Sequence, residues 1–76
     1  MRTLGLTIKP RELIKFLEVN GYRFVRTKGS HYIYSNGVYS IPVSIHGGKD
    51  FNEGFIRLIL RETGLKKRDL LDYLKR

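Results

Sequence analysis

The sequence predicts an α+β domain: a three-stranded antiparallel sheet with helices packed on one face. Three observations carry this. Leu13, Ile14 and Leu17 recur at helical spacing near the start. From Tyr22 to Ile45 the chain is rich in β-branched and aromatic residues, broken by Lys28-Gly29 and Asn36-Gly37. Ile56, Leu58, Ile59 and Leu60 then form a second apolar stretch of helical length. The expected order is helix, three strands, helix, with a short C-terminal helix after Gly64. At 76 residues the chain is one domain, 1–76. A chain of this size buries only about 60% of its unfolded surface, so its core is small.

Taken in order, residues 1–8 read as extended or poorly ordered. Pro10 suits the first helical position, where its missing N–H costs nothing. The first helix is expected over Pro10–Asn20 and Phe16 widens its apolar stripe. Gly21 supplies the left-handed residue that ends it. Strands are expected over Tyr22–Thr27, Ser30–Ser35 and Val38–Ile45. Asn36-Gly37 is read as a two-residue hairpin loop. That register sets Tyr34 opposite Tyr39, Tyr32 opposite Ile41 and Ser30 opposite Val43 on the core face. It sets His31 opposite Pro42 on the other face, partly exposed. Pro42 cannot donate to a ladder, so the third strand belongs at a sheet edge or carries a bulge there. Asn52 is a suitable N-cap for the second helix, which runs to about Glu62. The last helix, Leu65–Leu74, begins with Lys66-Lys67-Arg68, which opposes its dipole, and is expected to be the least stable element.

Fifteen Lys and Arg against seven Asp and Glu give a net charge of +8. This calls for an anionic partner, nucleic acid or an acidic protein. No single helix carries most of the charge, which argues against a membrane-surface helix, and no segment approaches the roughly 20 apolar residues that span a bilayer. With no cysteine and no signal-peptide pattern at the N-terminus, a cytoplasmic setting is the default. Two histidines without a helical pair make no convincing metal site, and no cofactor is expected.

The candidate site is the stretch Arg26 to Tyr34, which lies in a run with no carboxylate between Glu18 and Asp50. His31 follows the turn, and its imidazole can move a proton near neutral pH. In RNA cleavage it would take the proton from a ribose 2′-hydroxyl, while Lys28 and Arg26 neutralise charge developing on the adjacent phosphate. The bland alternative is a solvated strand histidine. His46 reads as a loop residue, far along the edge from His31. Gly47-Gly48-Lys49 lacks the spacing of a nucleotide-binding loop, but its backbone and Lys49 can approach a phosphate. Lys66-Lys67-Arg68 reads as a solvated face, and Tyr32, Tyr34 and Tyr39 read as core.

Several of these pieces together resemble the HicA toxin family. They are Arg11-Glu12-Leu13-Ile14, Asn20-Gly21-Tyr22, Arg26 through His31, Ile41-Pro42-Val43, His46-Gly47-Gly48-Lys49, and Gly54 through Leu60. The pairing of Gly-Ser-His with a later Pro-Val-x-x-His-Gly is the most specific part. The resemblance implies a double-stranded-RNA-binding-like fold and a metal-independent mRNA interferase, the toxin of a type II toxin–antitoxin system that inhibits translation and growth. It implies His31 as the single catalytic histidine; on the reading of the residues themselves, Arg26, Lys28, Gly29, Ser30 and Lys49 are expected on the RNA. It implies a HicB-type antitoxin as partner, with operator DNA bound only through the antitoxin complex. The chain departs from the family pattern in its longer lead, residues 1–8, and in Lys66-Lys67 where a capping residue is common. Two other readings share the charge pattern: a non-catalytic double-stranded-RNA-binding module, and a protein whose positive surface docks an acidic partner.

Overall fold

The computed structural model describes residues 7–45 and 49–75. The elements are α1 (Pro10–Val19), β1 (Arg23–Lys28), β2 (His31–Ser35), β3 (Ser40–Ser44), α2 (Glu53–Thr63) and α3 (Lys67–Leu74). The strands form one antiparallel sheet in the order β1-β2-β3. The element order, the three-stranded sheet and the edge position of the strand holding Pro42 agree with the sequence reading.

Helix ends follow local chemistry. Pro10 opens α1, and the Lys9 N–H donates to Glu12 Oε1 at 3.2 Å. At the other end Gly21 takes φ 94°, and the Tyr22 and Gly21 N–H groups donate back to the Leu17 and Glu18 carbonyls. This pair of bonds satisfies carbonyls that the helix end would otherwise orphan. The Asn52 side chain accepts from the Phe55 N–H at 2.9 Å, as an N-cap should. Gly64 closes α2 at φ 76°. At α3 no side chain accepts from the first turn, but Asp69 Oδ2 accepts from the Lys66 N–H at 3.4 Å.

One buried cluster joins Leu13, Phe16 and Leu17 of α1 with Ile56, Ile59 and Leu60 of α2, Leu70 of α3, and Tyr34, Ile41 and Val43 of the sheet. The helices therefore cover one face of β2 and β3. Ile8 joins this core and pairs with Phe51 in an isolated antiparallel bridge, so the lead is ordered at least there; residues 1–6 lie outside the described residues. β1 contributes nothing to the cluster, and all six of its residues are exposed. Among the described residues no helix is long and apolar enough to cross a membrane.

The second hairpin corrects the expected register. The loop holds four residues, Asn36 to Tyr39, and Ser35 pairs with Ser40. Asn36 Oδ1 accepts from both the Val38 and Tyr39 N–H groups at 2.8 Å, and the Asn36 N–H donates to the Tyr39 carbonyl. That side-chain cap stabilises the longer loop over a two-residue turn. Because the slip is two residues, every β3 side chain keeps its face but changes its partner. Tyr34 now meets Ile41, Tyr32 meets Val43, and His31 meets Ser44 rather than Pro42. Tyr39 moves into the loop and is exposed, and Tyr32 is also exposed; of the three tyrosines assigned to the core, only Tyr34 is buried. Ser30, expected opposite Val43, is an exposed turn residue. The register runs unbroken through Pro42, so no bulge lies there. The bulge is in β1, between Phe24 and Arg26.

Candidate active site on the open face of the sheet

The β1 bulge decides which side chains reach this face. Strand alternation would place Phe24, Arg26 and Lys28 together. Val25 is the extra residue, and after it the alternation is reversed. Phe24 pairs with Tyr34 on the helix side, its ring 5.8 Å from that of Tyr34 and 6.0 Å from that of Tyr32. Arg26 pairs with Ile33, and Lys28 with His31, on the opposite side. The sheet thus keeps Phe24, Tyr32 and Tyr34 on the helix-side face, only Tyr34 of them buried, and Arg26 and Lys28 on the open face.

The turn between β1 and β2 is Gly29-Ser30, one residue later than expected, so Lys28 is a strand residue. Gly29 has φ 61°, and no non-glycine residue of the described chain, Ser30 included, has positive φ. This sign pattern is that of a two-residue type II′ turn, which needs glycine first. It makes Lys28 and His31 the closing pair of the hairpin. Side chains directly opposite stand about 5 Å apart at Cβ. Lys28 and His31 are both exposed. Among the described residues neither accepts or donates a side-chain hydrogen bond.

Across the sheet the residues form two rows on this face. Lys28, His31 and Ser44 make one; Arg26, Ile33 and Pro42 make the next. Arg26, Lys28, His31, Ile33 and Pro42, together with Gly29, Ser40 and Ile41, line a depression of about 580 Å³, and Ser44 is not part of that lining. All seven carboxylates lie elsewhere: Glu12 and Glu18 on α1, Glu53 and Glu62 on α2, Asp69 and Asp72 on α3, and Asp50 in the loop before α2. The face is positive and has no counter-charge of its own. An oxyanion placed between Lys28 and His31 would meet a cation on one side and a titratable imidazole on the other.

The structure brings Arg26, Lys28, Gly29 and His31 into this depression; Ser30 sits in the turn beside it, exposed. Lys49 is also exposed but lines a separate hollow with Ser44, Asp50 and Phe55. Arg23 is occupied elsewhere, its Nη1 donating to the Glu18 and Tyr22 carbonyls at the end of α1. His46, Gly47 and Gly48 lie outside the described residues. The separation inferred between His46 and His31 rested on the two-residue loop, and that register is corrected above. Among the described residues no three His, Cys, Asp or Glu side chains come together. Sequence reasoning set Pro42 opposite His31 and gave Ile33 no role in the site; the Asn36 cap, which shifts Pro42 to face Ile33, and the β1 bulge, which brings Arg26 opposite Ile33, were the missing signals.

Residues 10–65 match the family model described as the HicA toxin of bacterial toxin-antitoxin systems. A protein of Pseudomonas fluorescens (strain Pf0-1), named probable mRNA interferase HicA, is 34% identical over 59 residues, covering 78% of this chain and 98% of that protein. No solved structure is matched. The matched span runs from the first residue of α1 past the end of α2 and includes the whole sheet, so this chain belongs to the HicA toxin family.

Proposed function

We propose that this chain is a metal-independent endoribonuclease that cleaves mRNA, the activity for which its Pseudomonas relative is named. The observation that carries the reading is the Lys28–His31 pair, directly opposed across Gly29-Ser30 on an open face without carboxylates. Neutral His31 takes the proton from a ribose 2′-hydroxyl. The 2′-oxygen attacks the adjacent phosphorus, the bond to the 5′-oxygen breaks, and the products are a 2′,3′-cyclic phosphate and a 5′-hydroxyl end. Lys28 neutralises the charge that builds on the phosphate oxygens, with Arg26 on the same side. The nucleophile is supplied by the substrate, so the route asks for no metal. One histidine serves as base or acid, and water protonates or deprotonates the other oxygen, which predicts slow turnover.

The family membership supports the wider reading: a type II toxin with a double-stranded-RNA-binding-like fold, acting in the cytoplasm and arresting translation and growth. A HicB-type antitoxin covers the open face, and operator DNA is met only through that complex. Lys49 contacts RNA beyond the main depression.

The test is cleavage of a single-stranded mRNA by the purified, antitoxin-free protein beside His31→Ala, both in EDTA. Cleavage by the wild type alone, with a cyclic phosphate at the new 3′ end, is expected. If folded His31→Ala cleaves equally, His31 is not the catalyst. If both bind RNA and neither cleaves, the chain is a binding module.

A further inference from the structure

The row next to the Lys28–His31 pair has a different chemistry. Arg26, Ile33 and Pro42 are successive partners across β1, β2 and β3. Ile33 is half-buried although it faces away from the helices, and Pro42 is exposed beside it. They make an aliphatic floor closed at one end by a guanidinium. The Ser40 hydroxyl lies at the hairpin end of the same depression. Its volume of about 580 Å³ falls within the range of small-molecule clefts, about 300–1,000 Å³. Phosphate chemistry alone does not require such a floor: a second row of cations would serve a polyanion better.

We propose that the Ile33–Pro42 floor seats one unpaired nucleobase of the RNA, that of a nucleotide adjoining the scissile phosphate. This rests on the ribonuclease reading for its orientation, and three features point to a base as occupant. The floor is continuous with the Lys28–His31 row, which lies two residues along β2, about 7 Å away. The rim charge is positive with no carboxylate on the sheet, so the occupant belongs to an anionic chain. Arg26 pairs with Ile33 and can lay its guanidinium plane over the exposed face of a flat aromatic ring. Ser40 offers both a donor and an acceptor to a base edge. A base in a duplex is already stacked and paired, so the floor selects single-stranded RNA. Sequence preference would then arise from how each base fills the space between Arg26 and Ser40.

The experiment is equilibrium binding, which needs no catalysis. The probes are an uncleavable single-stranded 2′-O-methyl RNA and the same backbone without bases, measured by fluorescence anisotropy with the full chain. The wild type is expected to prefer the base-bearing strand by about tenfold. Ile33→Ser should abolish that preference and leave affinity for the baseless strand unchanged. Pro42→Ala, at an edge where the added N–H faces solvent, should reduce it in part, and it decides the matter if Ile33→Ser does not fold by circular dichroism. Annealing the probe to its complement should remove the preference. An unchanged preference in the folded variants, an equal loss on both probes, or full affinity for the duplex overturns the proposal. Active His31→Ala would sink the catalytic reading while leaving this preference in place; lost preference beside intact His31-dependent cleavage would do the reverse.

Discussion

At the scale of single residues, the tyrosines show how strongly position changes chemistry. Tyr22 is buried, and its hydroxyl has no hydrogen-bond partner. Burial pushes that hydroxyl above its usual range, and Tyr39 nearby adds to the shift. Tyr34 is raised too, by burial first, then by Glu18 and Tyr32. An unpaired buried hydroxyl costs about 1–3 kcal/mol of desolvation. Tyr22→Phe should therefore match or exceed wild-type stability, by about 1 kcal/mol, in urea denaturation. Both shifts also set an alkaline limit. A tyrosine raised in the folded state ionises first in the unfolded chain, at about pH 10. Below that pH the two groups leave stability unchanged; as pH rises through 10 and toward the folded values, stability is lost. The double variant Tyr22→Phe/Tyr34→Phe should flatten the stability profile between about pH 9 and 11, and an unchanged slope would show that other groups set it.

At the scale of elements, the β1 bulge has the largest consequence. It costs one residue and reverses the strand from Arg26 onward, taking two cations off the helix-covered face. Deleting Val25 removes the extra residue and leaves Phe24 and Arg26 as neighbours on a regular strand, so Arg26 still meets Ile33 and Lys28 still meets His31 on the open face. The deletion should therefore keep cooperative melting and RNA binding, as should Val25→Ala, which keeps the extra residue at a half-exposed position. Loss of RNA binding in a folded deletion variant, with Val25→Ala unaffected, would mean that the bulge itself, and not the pairing it allows, shapes the RNA-binding face. The short α3 can be probed similarly. Leu70 is fully buried although its helix has no side-chain cap. Leu70→Ala should cost about 2–5 kcal/mol, as core truncations do. That is a large fraction of the stability of so small a domain, so calorimetry should show a much lower midpoint. A loss under 1 kcal/mol would mean that α3 is dispensable to the core.

At the scale of the whole molecule, charge is segregated. The carboxylates lie on the helices and the loop before α2, while the strand block has cations only. A surface pair such as Arg57–Glu53, at 3.0 Å, adds little to stability. The open face of the sheet has no carboxylate of its own to neutralise Arg26 and Lys28. Binding to single-stranded RNA should weaken as salt rises, with a logarithmic slope near −0.7 for each phosphate neutralised. Arg26→Gln and Lys28→Gln should each reduce that slope by about 0.7, whereas Arg57→Gln should not change it. Slopes that fall equally for all three would place the RNA elsewhere than on the open face.

Much of this protein is determined by its sequence alone. The helical spacing of Leu13, Ile14 and Leu17, the Gly21 and Gly64 stops, the Asn52 cap and the β-rich middle act over a few residues, so local reading recovers the element order and the exposure of His31. The motif pieces recover the family. Tertiary structure decided the rest. The Asn36 side chain captures two loop amides and moves β3 by two residues, which sets Ser44 rather than Pro42 opposite His31. Ile8 becomes core only because Phe51, far along the chain, lies beside it. The bulge at Val25 turns Arg26 and Lys28 outward and lines them up with Ile33 and His31. Each of these depends on how one strand is held against another, and a period-2 pattern in one strand carries no record of a residue its neighbour leaves unpaired.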